Sequence, residues 1–374
     1  MAGLKILTIN HEFPPVGGGA SPVAFELARH LVRIGNHVDV VTMRYDKLPI
    51  YECLDGVNVF RTPALRKKID VCHTHELATF VPGALPKTLR LMKKNHYDII
   101  HCHFIVPGAP LAWIAGRIGD IPFVVTCHGT DVPGHNPERF NFVHKVISPA
   151  WRFLAKRASL LISPSEYLKN SILRACPQAR VSVIPNGIDL DRFNPREKKK
   201  EILLCSRILA FKGFQYVIEA LKDEELDWNV NIIGDGPFLP ELKMLAEKSR
   251  TRIYFTGWLD KNDPEFIRLY NESSIFVFPS EAENFPTVLL EAMAAGMAII
   301  TSNTGGCKEV VGNEALFVEP GDVDGIQESI IRLVESESER QKLSQDALNR
   351  TKQFSWDRIA EKYLETYKMV LKKV

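Results

Sequence analysis

The chain has 374 residues, 45% hydrophobic and 25% charged, and its 47 Lys and Arg against 45 Asp and Glu leave a formal net charge of +2. That length suggests two domains with real cores, and balanced charge without an Arg/Lys-rich arm interleaved with aromatics excludes a nucleic-acid role. Seven scattered cysteines without a Cys-x-x-Cys pair exclude a disulfide framework and read as small buried hydrophobes in a reducing compartment. The first apolar run, Leu4–Leu7, is too short for a signal peptide. No run reaches the length of a membrane span; the best, 104–116, is broken by Pro107, Gly108 and Pro110. A cytoplasmic protein is expected.

Leu4–Ile9 reads as a first strand, followed by a loop with Pro14, Pro15 and Gly17, Gly18 and Gly19. Ser21 is expected to cap, and Pro22 to open, a helix whose Val23, Leu27, Ala28 and Leu31 share one face, with Gly35 as its stop. His37–Thr42 is the next strand. This is a Rossmann-like opening, but the loop is not Gly-x-Gly-x-x-Gly, so a bound dinucleotide does not follow. Further strands are expected at 98–101, 123–127, 160–163 and 181–184, and helices at 150–157 and 166–175, among others. The pattern implies a parallel sheet covered on both faces.

Asp191–Lys200 is polar, basic and contains Pro195; it reads as a linker with a solvated charge run. A second series then places strands at 202–206, 230–233, 253–255, 275–278, 298–300 and 315–318. Its clearest helices fall at 215–221, 240–249, 324–336 and 339–353. Ser355 is expected to cap a last helix, with Ile359, Tyr363, Tyr367 and Val370 on one face.

The chemistry concentrates at strand ends. Glu283 and Glu291 are separated by seven residues, the first in a loop after the 275–278 strand and the second in the following helix. Pro286 and Thr287 read as the first helical positions. The open N–H groups of Phe285, Thr287 and Val288 then make an anion site with a carboxylate on its rim and another one turn inside. Phosphates suit the amides; sugar or ribose hydroxyls suit the carboxylates. Arg207 and Lys212 follow the 202–206 strand, where two cations can hold a diphosphate. Gly234, in Gly-Asp-Gly-Pro, permits a tight turn and close ligand approach. His128, beside Gly129 at the end of the 123–127 strand, can project from that end. His101 and His103 alternate on another strand end, so they point to one face. The three histidines lack a recognised ligand pattern, and no metal site is expected.

Taken in order, these segments resemble glycosyltransferase family 4 (glycosyl transferases group 1), the retaining enzymes of GT-B architecture. The resemblance rests on the Gly-Gly loop, His128-Gly129-x-Asp131, Pro185-Asn186-Gly187-Ile188-Asp189, Arg207-x4-Lys212, the Gly234 turn, Glu283-x7-Glu291 and the terminal helix. It implies an α/β fold of two Rossmann-like, doubly wound parallel-sheet domains facing a cleft. Residues 1–193 would be the acceptor-binding domain and 199–356 the nucleotide-sugar-binding domain, with the helix 357–374 crossing back to the first. It implies a metal-independent, retaining transfer of a sugar from a nucleotide-diphosphate sugar to an acceptor hydroxyl on a glycan, lipid or small molecule. The nucleotide sugar is substrate, and no cofactor is implied.

In that reading His128, Arg207, Lys212 and Glu283 are catalytic. Gly18, Gly19, Asn186, Gly234, Leu259, Phe285, Pro286, Thr287, Val288 and Glu291 bind the donor, and His103 and Asp131 face the acceptor. No carboxylate is placed as a covalent nucleophile, which favours front-side displacement. A lipid acceptor would bring peripheral contact with the inner face of the membrane. One departure stands out: Asn284-Phe285-Pro286 replaces the family's frequent Gly-Phe-Gly, which bears on donor-sugar identity. A nucleotide-sugar epimerase or hydrolase of the same fold, and a non-catalytic nucleotide-sugar-binding protein, stay open.

Overall fold

The computed structural model describes residues 3–69, 72–134 and 137–373; Met1, Ala2 and Val374, at the outer ends of the expected ranges, lie outside them. The chain divides into two compact units, Met1–Gly187 with Trp356–Val374, and Ile188–Ser355.

The first unit holds strands β1 (Lys5–Ile9), β2 (His37–Met43), β3 (Tyr51–Leu54), β4 (Val57–Thr62), β5 (Ile99–His103), β6 (Phe123–Thr126), β7 (Leu160–Ser163) and β8 (Val181–Val183). Their order is β3-β4-β2-β1-β5-β6-β7-β8, parallel throughout except for β3 against β4. The chain winds outward one way from β1 and the other way from β5. The carboxyl ends of that pair are therefore the switch point where such sheets receive ligands.

Two strands and two helices of this unit escape the sequence reading. The edge pair β3 and β4 alternates polar and apolar residues over short runs. Helix Thr74–Lys94 contains Pro82 and Pro86, which read as breakers; it is started instead by Glu76, whose carboxylate accepts the His73 N–H at 2.8 Å. Helix Gly108–Gly119 holds much of the apolar run weighed as a membrane span, and it packs on β5. Among the described residues no helix is long and apolar enough to cross a membrane.

The first helix also starts differently from expectation. It spans Ala20–Arg33 with Gly19 at its N-cap. Ser21 does not cap it: its hydroxyl donates to Val16 O at 2.8 Å, drawing the glycine loop back on itself. Pro22 then sits within the first turn, where its missing N–H is no loss.

The last helix, Trp356–Leu371, packs against Ala20–Arg33. It buries Trp356, Ile359, Tyr363, Tyr367 and Val370 in a cluster with Ile6, Val38, Ile99, Val124 and Ile162. Gly187 makes its return possible, since a Cβ there would lie 2.4 Å from the Trp356 ring.

The second unit holds β9 (Lys199–Cys205), β10 (Asn229–Ile233), β11 (Arg252–Gly257), β12 (Ser273–Phe278), β13 (Ala298–Ser302) and β14 (Leu316–Val318). Their order is β11-β10-β9-β12-β13-β14, all parallel. Its strands are apolar on both faces, as helices on both sides require. Here the switch point lies between β9 and β12.

The stretch expected as a linker, 191–200, packs on this second unit, and the units divide earlier, at Gly187 and Ile188. Phe193 is buried 5.4 Å, ring to ring, from Tyr270. Asn194 N–H donates to Asn271 Oδ1 at 3.1 Å. Lys198 Nζ donates to the carbonyls of Asn271 and Ala295 at 3.0 and 2.7 Å, and burial pushes its ammonium down to about 8. These carbonyls end two helices, where a cation is favoured. Composition alone does not reveal that these basic residues have partners.

Candidate functional site

In the first unit, β1, β5 and β6 deliver a cluster of histidines. His11 follows β1, His103 closes β5 and His128 follows β6. The rings of His11 and His128 flank Phe104, with centroids 4.8 and 4.6 Å from it. His103 Nδ1 and His128 Nε2 share a hydrogen bond of 3.0 Å, their rings stacked at 5.3 Å. Burial holds His11, His101 and His128 down at about 3 and His103 well below the usual range. All four are neutral imidazoles at physiological pH, so they offer hydrogen bonds and no charge.

Three buried polar atoms here have no hydrogen-bond partner among the described residues: Asn10 Nδ2, His11 Nδ1 and His103 Nε2. Buried polar groups are otherwise satisfied almost without exception. The sequence reading named His103 and passed over Asn10 and His11. Their position just past β1, beside the switch point, was the available signal.

Asp131 has a different job from the acceptor-facing one expected for it. Its Oδ2 accepts the Ile105 N–H at 2.8 Å, and its Oδ1 those of His128 and Gly129 at 3.0 and 3.1 Å. Both oxygens are spent bracing the loops after β5 and β6. Burial still pushes this carboxyl up, against the pull of the amides. His101 is spent too, with Thr126 Oγ1 2.8 Å from Nε2 and Tyr367 Oη 2.8 Å from Nδ1. That leaves it no nitrogen for a metal. No group of three or more His, Cys, Asp or Glu able to hold a metal occurs among the described residues.

The glycine loop lies beside β1. Glu12 Oε2 accepts the Gly18 N–H at 3.1 Å, and a Cβ on Gly19 would meet nothing within 4 Å, so its backbone is open to approach. Asn186 is not brought to this cluster; it follows β8, at the edge of the sheet.

In the second unit the β9 and β12 ends carry charge. Lys212 closes a short turn, Ala210–Lys212, and Gly213 follows with φ of 75°. A Cβ on Gly213 would lie 2.3 Å from Pro279 O, so only glycine lets this turn reach the β12 loop. Lys212 Nζ there forms an ion pair with Glu283 Oε1, which also accepts from Ser280 Oγ at 2.9 Å. Glu283 Oε2 is left without a hydrogen bond among the described residues. Arg207 is exposed, and its guanidinium has no ion pair among them.

Gly234 has φ of 145°, and a Cβ on it would fall 1.9 Å from Ser206 O. It seats the β10 turn directly against the β9 loop that carries Arg207. The helix after Glu283 spans Thr287–Ala294, and Pro286, expected inside it, is its N-cap with an extended ψ of 113°. The first-turn amides of Thr287 and Val288 have no intrahelical partner. Glu291, one turn in, is 4% exposed. It pairs with Lys261 from the loop after β11, and Tyr270 Oη lies 3.4 Å from its Oε2. Leu259, from that same loop, packs at the edge of the core. Lys261 and Tyr270 escape the sequence reading because nothing in their spacing ties them to Glu291.

Residues 17–192 match the family described as Glycosyltransferase Family 4, and residues 188–350 match Glycosyl transferases group 1. An uncharacterized glycosyltransferase of Methanocaldococcus jannaschii is 29% identical over 98% of this chain and 99% of its own length. Among solved structures, sucrose-phosphate synthase from Thermosynechococcus elongatus superposes with a TM-score of 0.84 at 21% identity, covering 99% of this chain and 100% of that one. The Anabaena protein HepE in complex with UDP-glucose gives 0.76 at 20% identity, covering 98% and 100%. These structures share the fold, two parallel-sheet Rossmann-like domains of GT-B type. With the two family matches in tandem along most of its length, the chain is a glycosyltransferase and belongs to glycosyltransferase family 4 and the group 1 glycosyl transferases.

Proposed function

We propose that this glycosyltransferase moves a sugar from a nucleotide-diphosphate sugar to an acceptor hydroxyl with retention of configuration. The observation that carries the reading is the β9/β12 switch point, where Lys212–Glu283, Lys261–Glu291 and the exposed Arg207 stand beside an open helix N-terminus. That set suits an anion flanked by hydroxyl-bearing rings. The UDP-glucose of the Anabaena relative of this fold supports such a donor.

Arg207, Lys212 and the amides after Phe285 would hold the diphosphate and take up charge as the leaving phosphate departs. Glu283, through its open oxygen, would hold the sugar, and Glu291 the ribose. The bond from the anomeric carbon to the phosphate breaks while the bond to the acceptor oxygen forms on the same face. The acceptor's proton passes to the leaving phosphate oxygen. His128 would position the sugar, and His103 the acceptor. Because cations and amides carry the phosphate charge in this scheme, transfer requires no metal; activity in excess EDTA tests that, and loss restored by manganese or zinc would refute it. Seven free thiols support a cytoplasmic setting.

A thermal-shift screen of UDP, GDP, ADP and their sugars tests the donor. One diphosphate should stand out, since a ligand at about 100 times its Kd adds about 2.7 kcal/mol to the native state. The anomeric configuration of the product, read by NMR, tests retention. No shift with any of them, or release of free nucleotide without transfer to any acceptor, would sink the reading.

A further inference from the structure

The face of the first sheet that the last helix covers is apolar along most of its length, at Ile6, Val38, Ile99 and Val124. It turns polar toward the strand ends, where Thr8 and His101 lie side by side on β1 and β5 and Thr126 ends β6. There a chain of hydrogen bonds joins the last helix to the sheet. Tyr367 Oη meets His101 Nδ1 at 2.8 Å, His101 Nε2 meets Thr126 Oγ1 at 2.8 Å, and Thr126 Oγ1 meets Tyr363 Oη at 3.1 Å. All four side chains are at most 3% exposed. A neutral imidazole has one donor and one acceptor nitrogen, and both of His101's are satisfied here by hydroxyls from different elements.

Such a network is a poor device for stability alone, because well-packed apolar groups of the same volume serve as well or better. Its position explains it better. The His101 ring lies 4.5 Å, centroid to centroid, from His103, and His103 is hydrogen-bonded to His128. Thr126 is the register partner of His103 across β5 and β6 and stands two residues before His128. The network meets the His103–His128 pair through the His101 ring and through Thr126, and it is fixed by a helix more than 200 residues away in sequence.

We infer that Tyr363 and Tyr367 of the last helix, acting through His101 and Thr126, are positioning residues that hold the His103–His128 pair in one geometry and one set of tautomers for transfer. This rests on the proposed role of His128. The two hydroxyls touch no substrate; they keep the rings beneath it from turning, and a small misplacement of a positioned group costs rate more than binding.

The test uses the full chain with Tyr367→Phe and Thr126→Val, each of which removes one hydroxyl at nearly constant volume, and Thr126→Ser, which restores it. Turnover should fall about 10-fold in the first two, with KM for the donor within about 2-fold, and Thr126→Ser should recover most of the rate. Long-range proton–nitrogen NMR on histidine-labelled protein should show single tautomers at His103 and His128 in the unaltered chain and mixtures in Tyr367→Phe and Thr126→Val. Unaltered turnover and unaltered ring signals in both would overturn the inference. Failure of both to fold would overturn it too, by making the network a stability element. Were the unaltered chain to transfer no sugar at all, the proposed function would fall, and the ring signals would still decide this inference.

Discussion

The strand ends of the two sheets occupy equivalent positions in similar folds and carry opposite chemistry. Those of the first sheet hold four neutral imidazoles, two of them flanking Phe104, and the carboxylates beside them, Asp131 and Glu12, accept from backbone amides. Those of the second hold two lysine–carboxylate pairs and an exposed arginine. Desolvation explains the split. Buried imidazoles discharge and persist as hydrogen-bonding groups, whereas the buried carboxylate of Glu291 keeps a lysine ammonium on one oxygen. Charged and neutral polar sites can be built on one scaffold by that choice alone.

Removing the last helix should separate the two sheets most sharply. Ending the chain after Ser355 deletes Trp356, Ile359, Tyr363, Tyr367 and Val370, each at most 5% exposed. At about 2 kcal/mol per large buried side chain this forfeits roughly 10 kcal/mol, comparable to a domain's whole stability. Calorimetry should show the first unit's transition abolished and the second unit's retained, with its response to the nucleotide intact. Survival of both transitions would refute the packing account.

Next in size is the charged side. Arg207→Ala or Lys212→Ala should each lower turnover by about 100-fold or more, as loss of a preorganised charge-stabilising group does. Neither residue is in a core strand, so circular dichroism and melting should change little. Near-normal turnover in both would remove the diphosphate clamp from the mechanism.

The neutral side should show itself through pH. His11 and His101 sit at about 3 in the folded chain against an ordinary 6.5. Between those values the unfolded chain binds more protons, so stability rises with pH across that window and is lost as pH falls below about 6.5. From pH 7 to pH 5 each of these two rings should cost the first unit about 2 kcal/mol; His128, less buried than they are, should cost less. Urea unfolding followed by hydrogen exchange at the two pH values should show the first unit weakening and the second weakening less. Equal losses in both units would break the contrast drawn between them.

Much of this was readable in the chain. Short continuous apolar runs located most strands to within a few residues, because parallel strands buried on both faces have little choice of composition. Arg207, Lys212, Glu283, His103 and His128 were legible as residues at or just past the ends of apolar strands, where doubly wound sheets bind ligands, and Glu291 by its spacing after Glu283; their roles rest on the resemblance. The helix Thr74–Lys94 was not found, because Pro82 and Pro86 argue locally against a helix that tertiary packing sustains. The linker at 191–200 was misplaced because basic composition looks the same whether a lysine is solvated or, like Lys198, caps two helix ends.

What the sequence determined by itself is which residues stand at most of the strand ends and which face the first and last helices bury. Both follow from local periodicity. What only the tertiary structure decided is how those residues are spent. Lys261 reaches Glu291, Lys212 takes one oxygen of Glu283, Asp131 braces two loops, and His101 is claimed by Tyr367 and Thr126. Each is a pairing between elements far apart in the chain. Burial forces a polar group to find a partner, but only the folded arrangement determines which partner lies within reach.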